Sequence, residues 1–306
     1  MTSFNDNEYA SLIGNLINDT QYIKISNMGK VAGLRKHAEV MVRKILNIGS
    51  DTKIMLGQVR RDSNNAAINS RMEALGEELS NRLIEVVNKI NLIGSAGTHT
   101  QHTEDFSDGE VEGIEDAILD LYALIFIRYF GDSQISIYYS PKILHEFSIL
   151  PPIIRYKTWS YLFKKDKNNI QVVNKLCLSI IKTFNKERAY KWLEDNSEQI
   201  KAISYPTESE IKKYIQTGGV EVMPGLYQVS LDFEKYNNIY DLLYDKIKHS
   251  KTSINESGKM YKTFEEAINH YNNFKEIKIQ DDSEDVAIFH SLMEFVYLGR
   301  KAKEDL

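Results

Sequence analysis

The sequence predicts a mainly α protein, in which an N-terminal antiparallel helical bundle is followed by a helix-rich α+β domain with a small hairpin. Three observations carry this. Only five prolines and 16 glycines punctuate 306 residues, which leaves long stretches without a breaker. Apolar residues recur at three- and four-residue steps through those stretches. Ser70–Glu73, Ser107–Glu110 and Thr207–Glu210 each read as a capping box, in which two side chains satisfy each other's orphan amides at a helix start.

Residues 1–27 read as a helix and a connector. Val31, Leu34, Ala38, Met41, Val42 and Ile45 then predict a helix from Met28 to about Ile48, with Gly49 as its stop. A short helix is expected over about 51–61, and a polar loop over 62–65. Ser70 is expected to open a long helix with Leu75, Leu79, Leu83, Val86 and Ile90 inward, ending at Gly94. The small, polar stretch 94–102 forms a bend. Ser107 opens the next long helix, through Ile114, Ile118, Leu121, Ile125 and Tyr129. Four helices with short connections make an antiparallel bundle over 28–131. Residues 132–306 form the second domain. Its helices are expected at about 153–164, 169–185, 187–199, 207–218, 237–249, 263–274 and 283–303. Short strands are expected near 220–232, turning at Pro224-Gly225, and near 259–279, with a further candidate at 135–139.

A hydrophobic content of 42% supports a buried core. The single Cys177 forms no disulfide framework and reads as a buried thiol, which fits a reducing, cytoplasmic setting. The first residues lack a basic, apolar leader, and no apolar run approaches the roughly 18 residues of a membrane span. No phosphate-binding loop, dinucleotide fingerprint, nucleophile elbow or zinc motif is present, so ATP-driven work and hydrolase chemistry of those kinds are not expected. No cofactor is expected. The net charge of −5 hides two blocks: residues 104–120 carry eight acids and no base, whereas 155–191 carry ten Lys and Arg against two acids.

The stretch Leu34-Arg35-Lys36-His37-Ala38-Glu39-Val40-Met41-Val42-Arg43 resembles the opening helix of a HEPN-like family of unknown function, found beside restriction enzymes and in abortive-infection proteins. In that family an Arg and a Glu lie one turn apart on this helix, as Arg35 and Glu39 do. The stretch Ile90-Asn91-Leu92-Ile93-Gly94-Ser95-Ala96-Gly97-Thr98-His99 resembles its second signature: Ile-Arg, two residues, Gly-Asn, three residues, His. Gly94 and His99 match. Asn91 stands at the Arg position and Ser95 at the Asn position. The resemblance covers about residues 28–130, and 132–306 resembles no family.

The resemblance implies metal-independent RNA cleavage at a homodimer formed through the bundle. Such a reaction needs a base for the 2′-hydroxyl, a cation for the pentavalent phosphate and an acid for the leaving oxygen. His99 is the candidate for proton transfer, with His102 assisting. Asn91 can donate hydrogen bonds but brings no charge, so the cation would have to come from Arg35, Arg71, Arg82 or a second subunit. A His in a helix–helix turn also serves as a cap or surface residue, and a Glu and Arg at i and i+4 commonly form a surface ion pair. The acids of 104–116 oppose RNA and would raise the pKa of a nearby His. No metal site is assigned, because the spacing of His99 and His102 matches no metal motif.

The basic block offers Arg155, Lys157, Trp159, Lys164, Lys165 and Lys167 as nucleic-acid-binding residues, since cations neutralise phosphate and aromatic faces stack on unpaired bases. The same spacing fits an amphipathic helix with Ile154, Trp159, Leu162 and Phe163 inward, and the basic face could instead dock on the acidic helix. Three functions follow: a nucleic-acid-binding or assembly module of a bacterial defence or toxin-type system with weakened or lost ribonuclease activity; an RNA-cleaving effector using His99 and an Arg from elsewhere; and a non-enzymatic regulator that binds a partner protein.

Overall fold

A computed structural model describes residues 2–94, 104–223, 226–250, 261–276 and 283–306. The chain is mainly helical and divides into two compact units, Met1–Arg128 with Ser291–Leu306, and Tyr129–His290. The sequence places the boundary after residue 131 and gives all of 132–306 to the second domain. The structure returns the C-terminal residues to the first unit, and both borders fall inside helices.

In the first unit, α1 (Asp6–Ile17) starts where the Asn5 side chain accepts from the Asn7 amide, and it runs on into a π-helical turn at Asn18–Tyr22. α2 (Asn27–Leu46) is capped by Ser26 and stopped by Asn47, whose φ of 52° is left-handed. Asn47, not Gly49, is thus the stop. Gly49 serves another end: its amide donates to the Thr2 carbonyl at 3.0 Å, and a Cβ there would lie 2.1 Å from Thr2 Oγ1. The helix expected over 51–61 is reduced to a 3-10 turn at Leu56–Gln58.

Asn65 caps α3 (Ala66–Leu75) by accepting from the Ala67 and Ile68 amides, so Ser70 lies inside that helix and opens none. Gly76, with φ 86°, breaks the chain, and α4 (Glu77–Gly94) follows with Leu83, Val86, Val87 and Ile90 buried. α5 (Asp108–Gly131) opens at Ser107, whose amide and hydroxyl both donate to Glu110 Oε2 at 2.8 Å.

Side-chain contacts fix the helix directions. Lys44 meets Asp6 at 2.7 Å and Gly33 packs on Thr20, so α1 runs against α2. Lys30–Glu115, His37–Tyr122 and Arg128–Ile45 pair in ascending order, so α5 runs with α2. Arg82–Asp120 and Ile93–Gly113 pair in descending order, so α4 runs against α5. The four long helices therefore alternate in direction, with side chains of one packed on the next.

The second unit holds α6 (Pro141–Phe147), α7 (Pro152–Lys165), α8 (Ile170–Thr183), α9 (Lys186–Asp195), α10 (Ser197–Lys201) and α11 (Glu208–Gly218), the last opened by the Thr207/Glu210 box. Two short strands, β1 (Val220–Met223) and β2 (Leu226–Gln228), pair antiparallel; Pro224 and Gly225 lie outside the described residues. α12 (Ile239–His249) packs on α8 and α9. α13 (Phe264–Glu276) forms where a helix was expected at about 263–274, while residues 259–260 and 277–279 of the flanking strand candidates lie outside the described residues; no strand forms at 135–139, which is a turn held by the Tyr139 amide on the Ser136 carbonyl. α14 (Glu284–Tyr297) completes the helices. The core of this unit is aromatic: Phe130 lies 5.0 Å from both Phe147 and Trp159, centroid to centroid, and 5.8 Å from Phe289. Among the described residues no helix is long and apolar enough to cross a membrane.

Candidate functional site

The site begins with Arg35 on α2. Its Nη1 donates to the Gly94 carbonyl at 2.9 Å, and its Nη2 lies 3.5 Å from Asn91 Oδ1. α2 thus delivers a guanidinium to the C-terminal end of α4, beside Asn91. Gly94 makes room for it, because a Cβ at that position would approach Arg35 Cδ to 3.1 Å. The glycine is both a helix end and the floor under an arginine stem.

Glu39, one turn along α2, is half-buried and lies 4.0 Å from Arg43. Burial raises its carboxyl pKa, opposed by Arg43, Arg35 and Lys36. Arg82 is committed elsewhere, bridging Glu85 at 3.1 Å and Asp120 at 3.2 Å. Ser95, His99 and His102 lie outside the described residues; Ser95 follows Gly94 directly, and His99 and His102 come later in the same stretch.

The acids of 104–120 have local work. Asp105 accepts from the Met28 amide at 2.6 Å and from the Asn27 amide at 3.3 Å, which satisfies donors at the start of α2. Asn27 Nδ2 in turn donates to the Phe106 carbonyl and to Asp108 Oδ1. Glu110 closes its capping box, Glu115 faces Lys30 at 3.7 Å and Asp120 faces Arg82. These five carboxylates find their partners within their own unit, so much of the block serves as caps and ion pairs.

Sequence reasoning passed over His37. It is buried against Tyr122, whose hydroxyl lies 3.1 Å from Nε2, and Arg300 donates to the same hydroxyl at 3.4 Å. Burial, and then Arg300, hold its pKa at about 3, so the ring is neutral. The available signal was its place on the apolar stripe between Leu34 and Met41.

The basic block separates on folding. Trp159 is 2% exposed and belongs to the aromatic core, and Arg155 is 7% exposed. Neither presents a face to a ligand, which corrects their place among the nucleic-acid-binding residues: the apolar spacing of α7 buries them. Lys157 is half-buried, whereas Lys164, Lys165 and Lys167 are exposed, with the Lys165 ammonium 5.3 Å from the Tyr161 ring centre. Among the described residues no group of His, Cys, Asp and Glu converges as metal ligands. No protein-family profile, curated protein or solved structure matches the chain.

Proposed function

We propose that the chain is a HEPN-like, cytoplasmic module of a bacterial defence or toxin-type system that binds RNA and cleaves it slowly without metal. One observation carries the reading: Arg35 brings its guanidinium to Asn91 and Gly94, just before the segment that holds His99. A guanidinium stays charged at every working pH and suits a phosphate that gains negative charge in the transition state. It supplies the charge that Asn91 lacks. In this reading His99 takes the 2′-hydroxyl proton, Arg35 balances the phosphate and His102 protonates the leaving oxygen.

In this reading the slow rate follows from the same contacts. Hydrogen-bonding directions of Arg35 are spent on Gly94 O and Asn91 Oδ1, so a phosphate meets the charge without the full two-pronged fork. The reading carries a homodimer through the alternating helices of the first unit, which sedimentation of the purified chain checks. The activity test is incubation of the full chain with single-stranded RNA in EDTA. Cleavage abolished by His99→Ala and by Arg35→Ala is expected. RNA that stays intact with wild-type protein in excess overturns the cleavage and leaves the binding module.

A further inference from the structure

α7, α8 and α9 enclose an open groove of about 910 Å³ in the second unit. Four exposed cations stand on it, Lys164 from the end of α7, Lys167 from the turn after it, and Arg188 and Lys191 from α9; Glu187 and Asp195 are its carboxylates. The positive excess is local, since this unit's basic and acidic residues elsewhere nearly balance.

The groove also presents aromatic rings. Trp192 is partly exposed and stands edge-on to Phe163, with centroids 5.5 Å apart, so the buried Phe163 fixes its orientation. Tyr156, also on the groove, stands edge-on to Phe184 at 5.0 Å. Phe184 is 37% exposed, and the Arg188 guanidinium lies 3.9 Å from its ring centre. Asn185 starts α9 here: its side chain accepts from the Arg188 amide at 2.8 Å.

Cations and aromatic rings lining one groove match one ligand chemistry. Phosphates pair with the cations, and unpaired bases stack on the rings and on the guanidinium plane. A duplex hides its base faces, and an acidic peptide has nothing to stack. We propose that this groove binds a single strand of nucleic acid, with Trp192 and Tyr156 as stacking faces and Lys164, Lys167, Arg188 and Lys191 as phosphate contacts. The site belongs to a different unit from Arg35 and does not depend on it; only the choice of RNA as one probe rests on the reading above.

The test is fluorescence anisotropy of the full chain with short labelled single strands of RNA and of DNA, an RNA duplex, and a poly-glutamate peptide as competitor. Tight binding of a single strand, with the duplex weaker, supports the groove; equal RNA and DNA affinity marks general single-strand binding, and an RNA preference marks recognition of the 2′-hydroxyl. Lys164→Glu combined with Arg188→Glu should abolish binding, and Trp192→Ala should weaken it roughly tenfold or more. Should Trp192→Ala disturb folding, as thermal melts would show, Trp192→Leu keeps the volume and removes the stacking face. No binding, binding unchanged in the double variant, or binding matched by the duplex and displaced equally by poly-glutamate overturns the groove. Binding lost in Arg35→Ala but kept in the groove variant overturns it while sparing the Arg35 site. Binding lost only in the groove variant, with RNA intact in EDTA, supports the groove and removes the cleavage.

Discussion

His37 carries a cost that appears only in acid. Its pKa is about 3 in the fold and 6.5 in the free side chain. Below pH 6.5 the unfolded chain takes up a proton that the folded chain refuses. Stability is therefore full above pH 6.5 and falls as pH drops toward 3, by about 1.4 kcal/mol for each unit of depression. Urea unfolding at neutral and mildly acid pH should show the loss, and His37→Gln, which keeps a hydrogen-bonding group and cannot titrate, should flatten it. Equal pH slopes in the two proteins would contradict this. Gly299 is a second sharp position. Its φ is 76°, and a Cβ there would lie 2.6 Å from Gly14 Cα, which is backbone and cannot swing aside. Gly299→Ala should cost about 2 kcal/mol or more, read from the unfolding midpoint. The role of Gly94 was partly legible, because a glycine after an apolar stripe signals a helix end. Its service to Arg35 was not, since the partner lies 59 residues away.

Helix starts that depend on neighbours in sequence could be read, and those that depend on packing could not. The Ser107/Glu110 and Thr207/Glu210 boxes form as their spacing predicts. Ser107→Ala should accordingly cost about 1 kcal/mol, measured by urea unfolding. Ser70 and Glu73 have the same spacing but sit inside α3, because Asn65 already caps that helix and Gly76 ends it. The helix expected over 51–61 fails for a tertiary reason. Arg43 Nη1 holds the Gly49 and Thr52 carbonyls at 2.9 Å, and Asn65 Nδ2 holds the Lys53 carbonyl at 3.0 Å. Those carbonyls serve side chains that local periodicity does not reveal. α7 shows the converse: its apolar spacing was legible, and it decides that Trp159 enters the core and the lysines remain outside.

At the scale of the whole molecule the second unit gathers amines whose charged form burial disfavours. Burial, with neighbouring Lys175, lowers Lys246 to about 7; burial, with Arg155, lowers Lys175 and Lys182 to about 8. Lys246 still donates to Asn174 Oδ1 and to the Ser230 carbonyl at 2.7 Å. Their free value is 10.5, so between about pH 7 and that value the unfolded chain binds more protons than the fold, and stability rises with pH across the window. Unfolding at about pH 7 and pH 9 should give the higher midpoint at the higher pH; a fall would contradict it. The division of the chain was only half visible in the sequence: no local signal marks the return of 291–306, where Arg300 reaches Tyr122 and Lys301 reaches Asn18 Oδ1 at 2.8 Å.

The proposed cleavage depends most on Arg35 as the charge at the end of α4. Single-turnover cleavage of single-stranded RNA in EDTA, compared among wild type, Arg35→Lys and Arg35→Ala, tests it most directly. A loss of about 10²-fold in Arg35→Ala, with Arg35→Lys between the two, is the expected result. Cleavage by Arg35→Ala at the wild-type rate would contradict it.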